Sequence, residues 1–289
     1  MKTFNGKAIY NPSGKAGEYS YWACNFYTGC SNGCDYCYCK KGILAKVMGG
    51  NVPVLKKCFR DEEHALEVFE KELKQNISEL RKYGLFFSFT TDPMLVQTST
   101  LTICAMVECV KNEIPVKILT KVADFIDLYS FFIEGVNWLE LAFQSKYGIS
   151  INALKEYVAF GFTLTGCDDR EPNASTNIER IKTMEKLHDA GFKTWASIEP
   201  VIDIPKSLAM INLSNGLCDL YKIGLMSGKR YSKTDLQAFV EMLTGMYPNN
   251  KFYFKDTLLS QADIARDCLP SNCVGRDYNI FNENPDINK

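Results

Sequence analysis

Histidine is nearly absent: His64 and His188 are the only two in 289 residues. Both fall inside predicted helices, where a solvated or core role outweighs ligation, so a metal site built on imidazole is not expected. Excess charge of either sign is lacking too. With 33 Lys and Arg against 34 Asp and Glu the formal net charge is −1, which leaves no global basic field to draw in duplex DNA or an anionic membrane; a nucleic-acid contact would have to be a local groove. The opening stretch MKTFNGKAIYNPSGK has no apolar run of signal-peptide length, and nothing later approaches the roughly 20 apolar residues of a membrane span. A cytoplasmic protein without membrane association is expected. No period of 20–50 residues recurs and no low-complexity tract is present, which excludes solenoids and propellers.

What the chain has is apolar material and sulfur. Hydrophobic residues make up 46%, enough for one large barrel-sized unit rather than several small ones. Twelve cysteines in a compartment that keeps thiols reduced are ligands or core residues rather than a disulfide framework.

Short β-rich runs alternate with longer helical patterns. The runs are LFFSF (85–89), PVKILT (115–120), VAFGFTLT (158–165), FKTWASI (192–198), CDLYKIG (218–224) and KFYFK (251–255), with WACNFYTG ahead of them as a first strand. WLELAF, within 134–155, reads equally as a further strand or part of a helical insert. In 61–84, Leu66, Phe69, Leu73, Ile77 and Leu80 fall three or four apart, Asp61 suits a start cap and Gly84 a stop. In 176–190, Ile178, Ile181, Met184 and Leu187 share a face, with Ser175 as cap and Gly191 as stop. A further helix is predicted over 101–112, carrying Cys104 and Cys109 as core residues.

The alternation predicts an α/β fold with parallel strands, a partial or full (β/α) TIM-like barrel over residues 1–255, with 256–289 as a C-terminal extension packing on it or capping it. Polar residues follow the strands: Thr90-Thr91-Asp92, Lys121, Thr165 ahead of Cys167 and Asp168, Glu199, and Lys255 before Asp256. In a βα barrel these ends meet at one face, where the ligand site is built.

The stretch CSNGCDYC places Cys30, Cys34 and Cys37 so that three thiolates can converge on a soft metal centre. A closed zinc site takes four ligands, and no second C-x-x-C exists; Cys39 as a fourth would have to turn back into a crowded site. A zinc-stabilised scaffold or an electron-transfer module therefore stays open beside a second possibility, an iron–sulfur cube on three cysteines that leaves one iron free for a substrate or cofactor.

C-x-x-x-C-x-x-C after a first strand, with Tyr36 just before the third cysteine, resembles the radical S-adenosylmethionine superfamily. GCSNGCDYCY, FTTDP, the strand-end Thr120-Lys121, FTLTG and EPNASTNIERI are similar in order to its spore photoproduct lyase-like branch, over most of residues 19–225. The resemblance implies a [4Fe–4S] cluster on Cys30, Cys34 and Cys37, with S-adenosylmethionine chelating the fourth iron. It also implies one-electron cleavage of that cofactor to a 5′-deoxyadenosyl radical that abstracts a substrate hydrogen.

By position, Thr90, Thr91 and Asp92 stand where many members have a Gly-Gly-Glu turn for the methionine amine, although the glycines are missing. Lys121 is implied to meet the methionine carboxylate. Tyr36, Thr163, Thr165, Arg180 and Glu199 are the further cofactor-side candidates. The branch's hydrogen-returning cysteine falls at Phe89, which cannot donate that hydrogen; Cys167 is the nearest substitute and the catalytic candidate. Cys268 and Cys273 near the C-terminus do not supply the four thiols of a second cluster. A flavodoxin- or ferredoxin-like electron donor is implied, and a nucleic acid is the first substrate class by resemblance, with a peptide or small metabolite beside it. Lys40, Lys41, Lys56, Lys57 and Arg60 read as a solvated face or as a groove for phosphates or for that donor.

Overall fold

The computed structural model describes residues 3–125 and 148–281; WLELAF lies outside them. Ten strands are found among these residues: β1 (Ile9–Tyr10), β2 (Ala23–Cys24), β3 (Tyr27–Thr28), β4 (Val54–Leu55), β5 (Leu85–Phe87), β6 (Val116–Thr120), β7 (Val158–Thr163), β8 (Lys193–Val201), β9 (Leu220–Leu225) and β10 (Phe252–Phe254). Eight form one sheet in the order β1-β2-β5-β6-β7-β8-β9-β10. Every neighbouring pair from β2 onward is parallel, while β1 runs antiparallel to β2. The short hairpin β3–β4 stands apart.

The six later runs become strands because apolar residues occupy both of their faces, as parallel strands covered on both sides require. β7 and β9 are buried at every position. One face meets the helices; the other forms a small interior cluster of Ala23, Phe86, Ala159, Trp195, Leu220 and Tyr253 with Tyr19 and Ile280. Those residues come from β2 at one side of the sheet and β10 at the other, so the sheet curls around a shared interior as a partial TIM-like barrel. Gly161 on β7 makes room there: a Cβ at that position would meet the Trp195 indole at 2.1 Å.

WACNFYTG is two strands rather than one. Asn25 interrupts it, its backbone N–H going to Ala8 O at 3.1 Å and its side-chain oxygen accepting from Phe89 N at 2.8 Å. The helix expected over 61–84 is also two, Glu62–Gln75 and Ile77–Tyr83. Asp61 caps the first, accepting from His64 N at 2.7 Å. The break comes at Asn76, whose side-chain amide donates to Glu72 O at 2.8 Å while its backbone N–H turns to Leu73 O; the side chain competes for the carbonyl a continuing helix would use. The helix Asn177–Asp189 begins from Thr176, which forms a capping box with Glu179. Ser175 instead accepts from Ala123 N at 2.8 Å. Ile178 is 45% exposed, so it leaves the packing face shared by Ile181, Met184 and Leu187.

Residues 272–274 run along β10, with Phe252 N donating to Asn272 O and Val274 N to Phe252 O. Ile280 belongs to the interior cluster, and Val274, Tyr278 and Phe281 pack against it. Among the described residues no helix is long and apolar enough to cross a membrane.

Candidate functional site

Of the polar residues at the strand ends, Thr90, Thr91, Asp92, Lys121, Glu199 and Lys255 line one cavity of about 410 Å³ together with the three motif cysteines. The chain reaches it from β3 through Gly29, at φ +81°, where a Cβ would lie 2.4 Å from Val52 O, so only glycine fits. Gly29 N donates to Met48 O at 3.2 Å and Cys30 N to Gly50 O at 3.0 Å, which fastens the start of the motif to residues 48–50. Farther along, Asp35 N donates to Arg170 O, Asn173 N to Asn32 O, and Arg170 Nε to Asp35 Oδ2 at 2.8 Å. The cysteine loop is thus pinned to the segment after β7.

Burial pushes the Cys30 thiol up to about 11 and raises Cys34 as well. Cys37 goes the other way, lowered to about 6 by the hydrogen bond from Cys39, whose own thiol is correspondingly raised. Among the described residues no three His, Cys, Asp or Glu side chains gather closely enough to hold a single metal ion. The three motif thiols face the same cavity without meeting at one point.

Asp92 is buried, and both of its carboxylate oxygens are engaged. Oδ2 accepts from Asn32 Nδ2 at 2.8 Å and Lys121 N at 2.7 Å; Oδ1 accepts from Thr120 Oγ1 at 2.6 Å and Met94 N at 3.1 Å. It ties the cysteine loop to the end of β6. Two cavity-lining residues beside it carry a buried polar atom with no partner, Asn32 Oδ1 and Thr91 Oγ1. Thr90 is spent on Tyr27 O at 2.5 Å.

Lys121 at the end of β6 lines the cavity with its ammonium 4.0 Å from Glu171 and over the Tyr36 ring at 5.7 Å. Burial pulls its pKa down, but Cys34 and Glu171 outweigh that and hold it above its ordinary value. Glu171 is fully buried, accepts from the Tyr36 hydroxyl and pairs with Arg180 at 2.7 Å. Opposite the cysteines, Tyr19 hydrogen-bonds to Ser197 and Glu199, and Lys255 lies 3.0 Å from Glu199. Burial and Glu199 raise the Tyr19 phenol well above its ordinary value, so it stays protonated.

Cys30, Cys34, Cys37, Tyr36, Thr90, Thr91, Asp92, Lys121, Thr163 and Glu199 therefore share one lining, and Thr165, Cys167 and Arg180 lie outside it. Gly166, at φ +69°, turns the chain after β7, and Asn177 Oδ1 accepts from Thr165 N and Gly166 N. That turn carries Cys167 away to a buried position beside Lys206. Arg180 is buried behind Thr163, donating to its carbonyl at 2.7 Å.

No family model and no curated protein matches this chain. Two solved structures resemble its fold. One is a cysteine-to-alanine variant of spore photoproduct lyase with dinucleoside spore photoproduct, at 15% identity and TM-score 0.49. The other is spore photoproduct lyase complexed with the same dinucleoside, at 14% identity and TM-score 0.49. Each match covers 80% of this chain and 62% of the other. At these identities the likeness is one of fold and gives no residue a role.

Asn32, Glu171, Tyr19 and Ser197 join the site without having been singled out in the sequence. Asn32 lies inside the cysteine motif, which is the one local signal that pointed to it. Glu171 and Tyr19 reach the site only through contacts 135 and 180 residues apart in the chain.

Proposed function

We propose that this chain is a radical S-adenosylmethionine enzyme, with Cys30, Cys34 and Cys37 holding a [4Fe–4S] cluster beside a bound S-adenosylmethionine. The observation that carries the reading is the shared cavity: three thiols at x3 and x2 spacing face the carboxyl ends of β5, β6, β8 and β10 across about 410 Å³. The donor set fits the group. Cys30, Cys34 and Cys37 line one cavity without gathering as a single-ion site among the described residues, and Cys39 in the same lining is hydrogen-bonded to Cys37, which suits ligands on separate irons better than the closed tetrahedron of a single zinc. The unpartnered Asn32 Oδ1 and Thr91 Oγ1 offer an acceptor and a hydroxyl to an amine or ribose, since buried polar atoms seek partners. Lys121 supplies a cation for a carboxylate.

When bound, the cluster would supply the electron that splits the sulfonium. The protein binds and orients the cofactor and keeps water out, with Phe89, Leu119, Leu225 and Met226 on the lining. Asp92, its oxygens already occupied, positions the cysteine loop rather than contacting a ligand amine. For the substrate, a nucleic acid stands first by the sequence resemblance, and Lys15, Lys40 and Lys41 on the cavity lining give phosphate a place to bind.

Under anaerobic conditions with dithionite, the protein is expected to release 5′-deoxyadenosine from S-adenosylmethionine. Cys34→Ala should lose that release and the bound iron together, whereas Cys104→Ala, on the helix Ser99–Lys111 outside the cavity lining, keeps both. Release that persists in Cys34→Ala contradicts the assignment. Oligonucleotides that raise the yield support the substrate class, and a flat yield across single-stranded, duplex and damaged DNA removes it.

A further inference from the structure

A second, smaller pocket of about 30 Å³ lies toward the starts of the strands, with Ser20, Tyr21, Lys82, Lys117, Arg276 and Asp277 in its wall. Lys117 is the second residue of β6, four before Lys121 and roughly 13 Å along the strand from it. Its neighbours on the adjoining strands, Phe86 and Ala159, belong to the interior cluster, and Leu119 packs against that cluster. Alternate side chains of a strand share a face, so Lys117 is turned to the barrel interior as well. Residues 17–21, the end of the helix Ile77–Tyr83 and residues 276–279 complete the wall.

The polar groups of this pocket are cationic and short of partners. Lys82, Lys117 and Arg276 have no carboxylate partner among the described residues. The one carboxylate on the lining, Asp277, already accepts from the Tyr21 hydroxyl. Ser20 is only 6% exposed and its Oγ has no hydrogen-bond partner, a buried hydroxyl that the lining leaves unused. Gly17 gives Arg276 its way in, since a Cβ there would stand 3.2 Å from Nη2. Burial pulls the Lys117 ammonium down to about 8 and no opposite charge offsets it; burial and then the Lys117 charge also lower Lys222.

We propose that this pocket binds a phosphate group, with Lys117 and Arg276 pairing with its charge and Ser20 donating to one of its oxygens. Three cations against one occupied carboxylate leave an excess of about two charges, near that of a phosphate monoester at neutral pH. Donors arrive from four separate segments, at residues 20, 82, 117 and 276; a tetrahedral oxyanion has an oxygen for each, whereas a carboxylate has two. The volume exceeds the roughly 10–15 Å³ that one water needs and falls far short of a nucleoside's. The Arg276 guanidinium lies 4.5 Å over the Tyr21 ring and the Lys82 ammonium 5.1 Å over Tyr83, while Tyr278 packs on the interior cluster. No ring on the lining is left for a base, so the phosphate alone is recognised. Binding here does not depend on the group the cysteines hold.

The test titrates inorganic phosphate into the full chain, reconstituted anaerobically, in Tris–chloride buffer at constant ionic strength, and follows the heat of binding. Saturable binding is expected. Lys117→Met should weaken it about 10-fold or more and Ser20→Ala about 3-fold or more, the ranges for losing a charged and a neutral hydrogen bond. Lys40→Gln with Lys41→Gln, on the lining of the cysteine cavity, should leave it unchanged. Because Lys117 has no partner to lose, Lys117→Met should melt no lower than wild type in phosphate-free buffer, and phosphate should raise the melting temperature of wild type but not of the variant. Three results overturn the site: no binding, binding lost with Lys40 and Lys41 instead of Lys117, or a Lys117→Met protein that melts lower without phosphate. Adenosine monophosphate distinguishes the sources. Competition with phosphate that Lys117→Met abolishes supports a phosphate carried on a larger molecule, and no competition supports the free ion. Binding of the nucleotide much tighter than that of phosphate requires contacts to the base or sugar and contradicts recognition by phosphate alone.

Discussion

Glu171 links the cysteine motif to Lys121 at the end of β6 and to Arg180 on the helix Asn177–Asp189. Its carboxylate has no exposure, lies 2.7 Å from Arg180 and 4.0 Å from Lys121, and accepts from Tyr36 inside the cysteine motif. Removing one member of a buried ion pair leaves the other charge uncompensated, a larger effect than the pair's net worth. Arg180→Ala should lower unfolding free energy by about 3–5 kcal/mol in a urea titration. A loss below about 1 kcal/mol, the value of an exposed pair, contradicts the role given to the pair. The family resemblance made Arg180 a cofactor-side candidate, whereas the helix brings it to the back of β7, outside the cavity lining. What the sequence does not carry is the identity of its partner there, because the contact with Glu171 depends on how the loop after β7 folds. Strand-end residues such as Lys121 were legible for the opposite reason: the end of a parallel strand fixes their place with little help from elsewhere. Asp92 was legible as a position at the cavity but not as a carboxylate already filled, since three of its four donors belong to Asn32 and to Thr120 and Lys121 at the end of β6.

The strands were read from runs of β-branched and aromatic residues, and the six after residue 84 are present within a few positions of their expected bounds. The misread elements share a physical cause. Asn25 and Asn76 each have a side-chain amide that competes with the backbone, one dividing a strand and the other a helix. Periodicity, which counts apolar spacing, is blind to that competition. Ile178 shows the complementary failure: it keeps the period of its helix but stands in the first turn, 45% exposed. Packing inside the barrel yields a sharper test. Gly161 sits against the Trp195 ring, with the nearest ring atom 2.1 Å from where a Cβ would be. Gly161→Ala should cost about 1–3 kcal/mol as overpacking, and Trp195→Leu in the same chain should recover part of that loss, so the two changes are not additive. A neutral Gly161→Ala means the interior is looser than the interdigitation described.

Across the molecule, the carboxyl ends of the strands carry the cavity and the cysteines, while the segment after residue 270 fills in around the starts of β9 and β10. This polarity follows from the parallel topology, in which loops after the strands are free to vary while the strands hold their ends in place. A curved parallel sheet of this kind hosts many chemistries, so the resident group decides the account. The most direct measurement is anaerobic reconstitution with iron and sulfide, followed by metal analysis and an absorption spectrum before and after S-adenosylmethionine. About four irons per chain and a spectrum that shifts when the cofactor is added are the predicted result. One tightly bound zinc in a colourless protein, or a cluster whose spectrum ignores S-adenosylmethionine, would contradict it.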